Sequence, residues 1–427
     1  MKLNPESLAA WTDRLSAASQ RVEHAYPGER PERQPVHTVY GGAHLFRAGT
    51  APKLGELAAR ALEEHAPDPD GLADALGLVP AHLASQVYER VQRKLETEPV
   101  EDFRLDFEDG YGNRPDEEED EHARSSAREV AAGLEDHTLP PFLGIRVKPL
   151  ASELASRSLR TLELFVATLV EAAGRLPRGF VVTLPKIQDT EQVMVLDEAL
   201  AELESKLGLE ERIPIELMLE TPQMVIDRDG TVGARRYILA GQSRVRGVHF
   251  GTYDYTASLN VTAAHQSMTH PACDFARHVM QVSLAGTGIW LSDGATNVMP
   301  VGERPAVHGA WRLHYAHTRH SLMHALYQGW DLHPAQLPSR YAAVFSFFME
   351  GLDRAGERLA SFVDQAAQAT LVGEVFDDAA TGQGLLNYFL RAINCGAITE
   401  EEALERTGLT RDELETRSFL HILEARK

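Results

Sequence analysis

Acidic side chains are concentrated at the end of one short apolar run of the chain. Residues 104–109 read Arg-Leu-Asp-Phe-Glu-Asp and place three carboxylates within four positions. If the run is a strand, Asp106 and Glu108 share the face opposite its apolar residues, and Asp109 lies at the exit. Buried carboxylates are costly unless they are paired or bound to a metal. A functional centre is therefore favoured over an exposed edge strand with solvated acids.

Two further carboxylates follow later apolar runs. Glu220 ends the run 213–220, and Asp254 follows the run 245–251. Carboxylates at neighbouring strand exits are hard oxygen ligands, of the kind that Mg²⁺ takes together with water and substrate oxygens. Asp254 alone would be equally well explained as the N-cap of a following helix. The pair together favours a metal site.

Two cationic side chains belong to the runs between these acids. Arg146 lies in the run 142–148, on the predicted face that also carries Lys148. Inside a barrel its guanidinium needs an anion, and Glu108 is the predicted partner. The remaining N–H groups of the guanidinium would then be available to a substrate carboxylate or enolate. A purely structural Arg–Glu pair is the alternative. Lys186 ends the run 180–186 and is interpreted as a rim cation, with a Schiff-base lysine as the second choice.

The order of the apolar runs predicts how these side chains meet. Eight short runs alternate with helical patterns, and this alternation predicts parallel strands closed into a (β/α)8 barrel of the TIM type. In such barrels, chemistry lies at the carboxyl ends of the strands. A doubly wound open sheet is the alternative fold, but the first turn lacks a G-x-G-x-x-G motif. The runs are 36–40, 103–109, 142–148, 180–186, 213–220, 245–251, 288–292 and 330–333.

The segments outside the barrel have helical patterns. Residues 4–24 predict an N-terminal helix, followed by a proline-rich linker, and the pattern from 336 onward is helical throughout. The predicted domains are residues 1–35 (helix and linker), 36–336 (catalytic barrel) and 337–427 (helical lid). The acidic run 116–121 predicts a solvated loop. A set of histidines on one predicted helix is interpreted as a polar face rather than a zinc site: His314, His317, His320 and His324.

Composition narrows the class of partner. The chain has 427 residues, 42 Lys and Arg against 63 Asp and Glu, and a formal charge of −21. This acidity disfavours nucleic acid and membrane surfaces as partners. The two cysteines form no metal-like spacing or disulfide framework, and the N-terminus lacks an apolar signal core. We therefore expect a cytoplasmic protein.

At the charged residues of the apolar runs, the sequence resembles the superfamily of HpcH/HpaI aldolases, citrate lyase β subunits, malyl-CoA lyases and malate synthases. The matching segments occur in family order over about residues 36–336. They are Asp-Phe-Glu-Asp-Gly at 106–110, Gly-Ile-Arg-Val at 144–147, Leu-Pro-Lys at 184–186, Glu-Thr at 220–221, Gly-Thr-Tyr-Asp-Tyr at 251–255 and Gly-Trp-Asp-Leu-His-Pro-Ala-Gln at 329–336.

The resemblance implies a barrel enzyme with a divalent metal, Mg²⁺ or Mn²⁺, held by Glu220 and Asp254. It implies that Arg146 stabilises oxyanion charge and that Glu108 and Asp109 contact the metal's waters and this arginine.

The resemblance also implies the remaining groups of the site. The amides around Thr252 and Tyr253 would hold a keto-acid carboxylate, with Lys186 at the rim. Residues 375–381 resemble the malate synthase segment that carries the catalytic base. This match would make Asp378 the base, whereas a helix cap is the structural alternative for it.

Departures from the family motifs refine the expected activity. The Asp-x-Glu-Asp form favours the citrate lyase and malate synthase side over the HpcH-type aldolases, and no CoA-binding feature is visible. The predicted function is a metal-dependent carbon–carbon lyase or aldolase in which the metal binds a pyruvate- or glyoxylate-like keto acid and the reaction passes through an enolate. The alternatives are a Claisen condensation of glyoxylate with acetyl-CoA and a non-catalytic keto-acid-binding relative. The resemblance also implies a homo-oligomer.

Overall fold

Eight parallel strands form a closed barrel in a computed structural model that describes residues 3–30, 32–77, 81–365, 370–372, 375–377, 379–416 and 422. Each strand pairs with the next in the chain, and the eighth pairs with the first. Every strand overlaps one of the predicted apolar runs, so the predicted barrel is confirmed. The strands are β1 (His37–Gly42), β2 (Asp102–Asp106), β3 (Phe142–Arg146), β4 (Val181–Leu184), β5 (Ile215–Leu219), β6 (Val245–Phe250), β7 (Trp290–Ala295) and β8 (Gln328–Asp331).

Helices fill the connections and both ends of the chain. The predicted N-terminal helix is confirmed as α1, although none of its residues is buried. No helix within the described ranges combines the length and apolar character needed to cross a bilayer. The helices are α1 (Pro5–Ala25), α2 (Thr50–His65), α3 (Pro69–Leu76), α4 (Ala84–Thr97), α5 (Asp116–Glu135), α6 (Ala155–Ala173), α7 (Thr190–Leu207), α8 (Pro222–Val225), α9 (Ala234–Ala240), α10 (Thr252–Ser258), α11 (Pro271–Leu284), α12 (Arg304–Met323), α13 (Leu337–Glu350), α14 (Leu352–Asp364), α15 (Ala379–Asn394), α16 (Glu400–Thr407) and α17 (Arg411–Glu415).

The C-terminal part of the chain is mostly helical, as predicted, but not throughout. Helix α13 follows β8 and packs on α12 and α4 of the barrel layer. Between α14 and α15 the chain forms two short antiparallel strands, β9 (Thr370–Val372) and β10 (Val375–Asp377). The helical periodicity of the flanking segments does not extend over these residues. The division of the chain at residue 336 stays a prediction.

The predicted solvated loop at 116–121 is wrong, because these residues begin helix α5. Carboxylates in the first turn of a helix are favoured by the positive end of its dipole. Glu119 is buried and accepts hydrogen bonds from Lys148 Nζ at 2.8 Å and from Thr161 at 2.6 Å. Lys148 therefore points toward α5, after β3 has ended at Arg146, and not into the barrel beside Arg146 as predicted.

The predicted polar face of α12 is also wrong for two of its four histidines. His314 is buried, with Nδ1 at 2.8 Å from Ser339 Oγ and Nε2 at 3.0 Å from Asp331. His317 is buried against Thr296 Oγ1 at 2.9 Å. Both rings face the core because α13 and the end of β7 cover this side of the helix, which helical spacing alone does not show. His320 and His324 stay partly exposed.

A buried ionic layer fills the barrel below its mouth. Arg104 donates to both carboxylate oxygens of Asp102, at 2.9 and 2.8 Å, and to Glu216 at 2.7 Å. Thr183 and His249 also contact Glu216, at 2.9 and 3.4 Å. His249 is further held by Trp330, which donates to its Nδ1 at 3.0 Å. His249 is therefore a buried histidine whose two ring nitrogens both have partners in the core.

We expect Arg104→Met to destabilise the fold strongly, because it leaves the carboxylates of Asp102 and Glu216 buried without their cation. Removal of one partner from a buried ionic group costs about 3–5 kcal/mol. Urea unfolding of the variant measures the change in the free energy of unfolding. Arg228→Met is the matched control, since Arg228 is 93% exposed. Equal stability of the two variants would contradict the structural role of the layer.

Candidate active site

The carboxyl ends of the strands surround a cavity of about 410 Å³ at one mouth of the barrel. Strand register places the polar residues here: Asp106 lies opposite Arg146 across β2 and β3. Leu219 lies opposite Phe250 across β5 and β6, which places Glu220 beside Gly251. The polar and aromatic residues that line the cavity are Tyr40, Asp106, Asp109, Arg146, Glu220, Thr252, Tyr253, Asp254, Asn297 and Trp330.

Arg146 is held mainly by Asp106. Its Nε and Nη2 donate to the two oxygens of Asp106 at 2.8 and 2.5 Å, while Nη1 lies 3.1 Å from Glu108 Oε2. Glu108 is thus a partner of the arginine, as predicted, but Asp106 makes the closer contacts because the register of β2 and β3 places it opposite Arg146. Asp106 also accepts from the backbone amides of Glu108 and Gly110, at 2.9 and 2.7 Å. Nη1 is therefore the guanidinium nitrogen that Asp106 does not bind.

Aromatic rings form a second support for Arg146. The guanidinium carbon lies 4.8 Å from the centroid of the Tyr40 ring and 6.0 Å from that of Trp330. Both distances fall in the range of cation–π attraction. Burial opposes the charge, but Asp106 and Glu108 outweigh it and raise the pKa of Arg146 further. The arginine is thus a fixed, permanently positive group at the mouth.

The ammonium group of Lys186 lies among acids that follow β2 and β6. Its Nζ contacts Glu108, lies 2.9 Å from Asp109 Oδ1, and lies 3.9 Å from Asp254 Oδ1. Burial lowers its pKa, but the charge of Glu108 and hydrogen bonds to Glu108 and Asp109 prevail, so the pKa of Lys186 is raised. A lysine held as an ammonium ion is a poor nucleophile. This favours the rim-cation interpretation over a Schiff base.

The backbone of Lys186 is also unusual. Its φ of 50° lies in the left-handed region, which is uncommon for residues other than glycine. In this conformation its N–H donates to Glu220 Oε1 at 2.5 Å. Strained backbone of this kind is concentrated at functional sites. One residue therefore positions Glu220 with its backbone and the other acids with its side chain.

Glu220 is the most perturbed acid of the site. It is 2% exposed, and burial together with the nearby charges of Asp254 and Glu108 raises the pKa of Glu220 to about 8. Burial and the charge of Asp109 likewise raise the pKa of Asp254. Among the described residues, five carboxylates share this mouth with only two cationic side chains, Arg146 and Lys186. Such an excess of oxygen ligands and negative charge fits a divalent cation.

The remaining predicted binding residues lie on α10 at the same mouth. Gly251 occupies the N-cap of this helix, so Asp254 is its third residue, and the interpretation of Asp254 as the cap is wrong. Tyr253 accepts from the Asn297 amide at 3.1 Å and donates to Ala295 O at 2.9 Å. Thr252 is buried with its hydroxyl 3.1 Å from Met268 Sδ.

Most of the candidate residues from the sequence meet at this mouth. Arg146, Glu220, Thr252, Tyr253, Asp254 and Asp109 line the cavity, and Glu108 and Lys186 pair beside it. Asp378 lies outside the described residues. Sequence reasoning did not assign roles to Asp106, Tyr40 or Trp330. Inward alternation along β1 and β2 was the available signal for Tyr40 and Asp106.

The fold and site together define a TIM-barrel protein with a carboxylate-rich mouth and one fixed arginine. A family model described as a domain of unknown function, DUF6986, matches residues 15–422. The chain therefore belongs to the DUF6986 family. No curated protein matches the sequence.

Solved structures provide a comparison of the fold. A citrate lyase from Burkholderia xenovorans LB400 is similar with a TM-score of 0.57 and 18% identity, over 88% of this chain and 98% of that one. CitE from Mycobacterium tuberculosis, in complex with magnesium, acetoacetate and coenzyme A, has a TM-score of 0.48 and 15% identity, over 89% and 100%.

The magnesium/glyoxylate complex of Haloferax volcanii malate synthase has a TM-score of 0.48 and 16% identity, over 91% and 99% of the two chains. The predicted resemblance is confirmed at the level of the fold by the citrate lyase structure, which matches 88% of this chain.

We expect Gly251→Ala to displace Glu220 and to weaken Mg²⁺ binding. A Cβ at this position would lie 2.5 Å from the Glu220 Cβ and still closer to its carboxylate. Calorimetric titration with Mg²⁺ measures the change in affinity. Gly309→Ala is the matched control, because a Cβ there meets no atom within 4 Å. Unchanged Mg²⁺ affinity in Gly251→Ala would show that Glu220 does not hold the ion.

Proposed function

We propose that this protein is a Mg²⁺-dependent carbon–carbon lyase or aldolase that binds a pyruvate- or glyoxylate-like keto acid and acts through an enolate. The observation that carries the proposal is the convergence of Arg146, Glu220 and Asp254 on one cavity. An enolate needs stabilisation of negative charge on oxygen, and these groups supply a fixed cation beside a set of metal ligands. The barrel shared with a citrate lyase agrees with this class of reaction.

The donor set supports Glu220 and Asp254 as the residues that hold the ion. Both carboxylates line the cavity, and the charge of Asp254 contributes to the raised pKa of Glu220. Mg²⁺ usually takes one or two carboxylates and completes its shell with water and substrate oxygens. When bound, the ion would supply Lewis-acid stabilisation of charge on the keto-acid oxygens. Mn²⁺ shares this preference for oxygen.

Arg146 is proposed to bind the developing oxyanion through Nη1. Asp106 orients the guanidinium through two hydrogen bonds, at 2.8 and 2.5 Å, so no reorientation is needed when charge develops on the substrate. The rings of Tyr40 and Trp330 pack against the same group and exclude water from it. Glu108 and Asp109 are proposed to hold Lys186 and the waters of the site. The amides of α10 at Thr252 and Tyr253 are proposed to bind the substrate carboxylate.

A base is required for the hydroxyl proton in cleavage or the methyl proton in synthesis. Asp378 is proposed for this step on the resemblance of its segment alone, since it lies outside the described residues. The role of Asp378 can be tested independently of metal binding, because a base that acts only on the substrate proton leaves the affinity for Mg²⁺ unchanged.

Enolate formation is testable without knowing the second substrate. We expect the protein with Mg²⁺ to exchange the methyl protons of pyruvate for deuterium in D₂O, followed by ¹H NMR. Glu220→Gln should abolish Mg²⁺ binding and exchange. Arg146→Lys should slow exchange about 100- to 1,000-fold, the usual effect of losing one preorganised oxyanion donor.

Glu171→Gln, an exposed substitution on α6, is the matched control. Full exchange by the wild type without a divalent ion would contradict the proposal. Release of free CoA from glyoxylate and acetyl-CoA would instead indicate a malate-synthase-like condensation. Heat of pyruvate binding with neither exchange nor CoA release would indicate a keto-acid-binding protein.

For Asp378→Asn we expect slower exchange with Mg²⁺ affinity equal to that of the wild type, since the amide cannot accept the substrate proton. Asp364→Asn is the matched control, because it removes the same charge at an exposed position of α14. Equal exchange rates in the two variants would exclude Asp378 as the base.

A further inference from the structure

Two neighbouring barrel helices present histidine and carboxylate side chains to each other, and none of these residues lines the cavity at the mouth. Asp274 and His278 are four residues apart on α11, and His320 and His324 are four apart at the end of α12. Residues four apart share one face of a helix. One ligand atom each of Asp274, His320 and His324 lies within 4.8 Å of the other two. The sequence spacing on α12 alone did not indicate this cluster, because Asp274 comes from a different helix.

The rings are oriented for coordination. His324 Nδ1 donates to the backbone carbonyl of His320 at 2.8 Å, so its Nε2 carries the lone pair. A backbone bond of this kind to the second ring nitrogen is typical of metal-ligating histidines. His320 Nε2 lies 2.9 Å from Asp274 Oδ1. A metal ion would replace the proton between these two atoms, and binding would release that proton to solvent.

A buried network fixes both helices behind the cluster. Arg277 of α11 donates to Asp274 Oδ1 at 2.6 Å and to Asp293 Oδ1 at 2.8 Å. Ser321 of α12 donates to the other oxygen of Asp293 at 2.6 Å, and Gln281 of α11 donates to the carbonyl of His324. The two helices are therefore held in register without an ion, and the ligand set is preorganised.

We propose that Asp274, His320 and His324 form a Zn²⁺ site that joins α11 to α12. Two imidazole nitrogens and one carboxylate are a usual zinc donor set, whereas Mg²⁺ prefers oxygen ligands. The exposed His278, whose ring centroid lies 5.5 Å from that of His324, is positioned to supply a fourth ligand. The side chains of Asp274 and His320 are 29% and 21% exposed, which gives the ion a path from solvent.

The test is calorimetric titration of the full chain with Zn²⁺ in excess Mg²⁺, which competes for carboxylate ligands but not for imidazole. We expect one equivalent of Zn²⁺ to bind the wild type. Affinity should fall by at least about 100-fold in His320→Gln and in His324→Gln, because even the loss of an outer-sphere partner costs about 10- to 100-fold. His24→Gln is the matched control, an exposed histidine on α1. Glu220→Gln, which changes a proposed ligand at the mouth, should still bind one equivalent of Zn²⁺.

Co²⁺ provides a readout that is specific for coordination. Its visible absorption should show nitrogen-ligated, low-coordinate Co²⁺ in the wild type and lose this signature in His324→Gln. Thermal unfolding without metal shows whether each variant is folded. If His320→Gln is unfolded, His324→Gln carries the test, since the ring of His324 bonds to the backbone carbonyl of His320 and not to Asp274. Equal Zn²⁺ affinity and equal Co²⁺ spectra in the wild type and His324→Gln would overturn the proposal.

Discussion

Five carboxylates meet at one mouth of this protein because parallel strands that close into a barrel all end on the same rim. Only Arg146 and Lys186 oppose them among the described residues, so the cavity holds an excess of negative charge at low dielectric. That excess raises the pKa of Glu220, through burial and the charges of Asp254 and Glu108, to about 8. It also accounts for the position of Lys186, whose left-handed backbone lets a single residue contact several of the acids. A divalent cation would relieve the same repulsion.

The barrel interior is layered, and the layers explain why the site is rigid. The lower layer is ionic, with Arg104 bound to Asp102 and Glu216. Above it lies a cluster of Tyr40, Met218, Ala295 and Trp330, and above that the mouth. Arg146 rests on this cluster and is held from the side by Asp106. Because both of its supports belong to barrel strands, the guanidinium is fixed by the most buried part of the fold, which is what an oxyanion-binding group requires.

The two proposed cation sites differ in donor chemistry and in place. The mouth offers carboxylate oxygens beside a substrate-sized cavity, whereas the α11–α12 cluster combines imidazole nitrogens with one carboxylate in the helical layer. Proteins select between hard and borderline cations through the type of donor atom more than through affinity alone. The first site would serve chemistry on a substrate, and the second would connect two helices. A negative result for one site would therefore not argue against the other.

The sequence alone determined the strand order, the barrel and most of the charged residues at its mouth, because alternating runs predict parallel strands and parallel strands end together. It did not determine which partner each side chain takes. Register, not spacing, pairs Arg146 with Asp106 rather than mainly with Glu108. Likewise, Lys148 turns outward to Glu119, and the four histidines of α12 divide between core and surface. Those outcomes depend on which elements pack on each face, and such contacts form only when distant parts of the chain are brought together by folding.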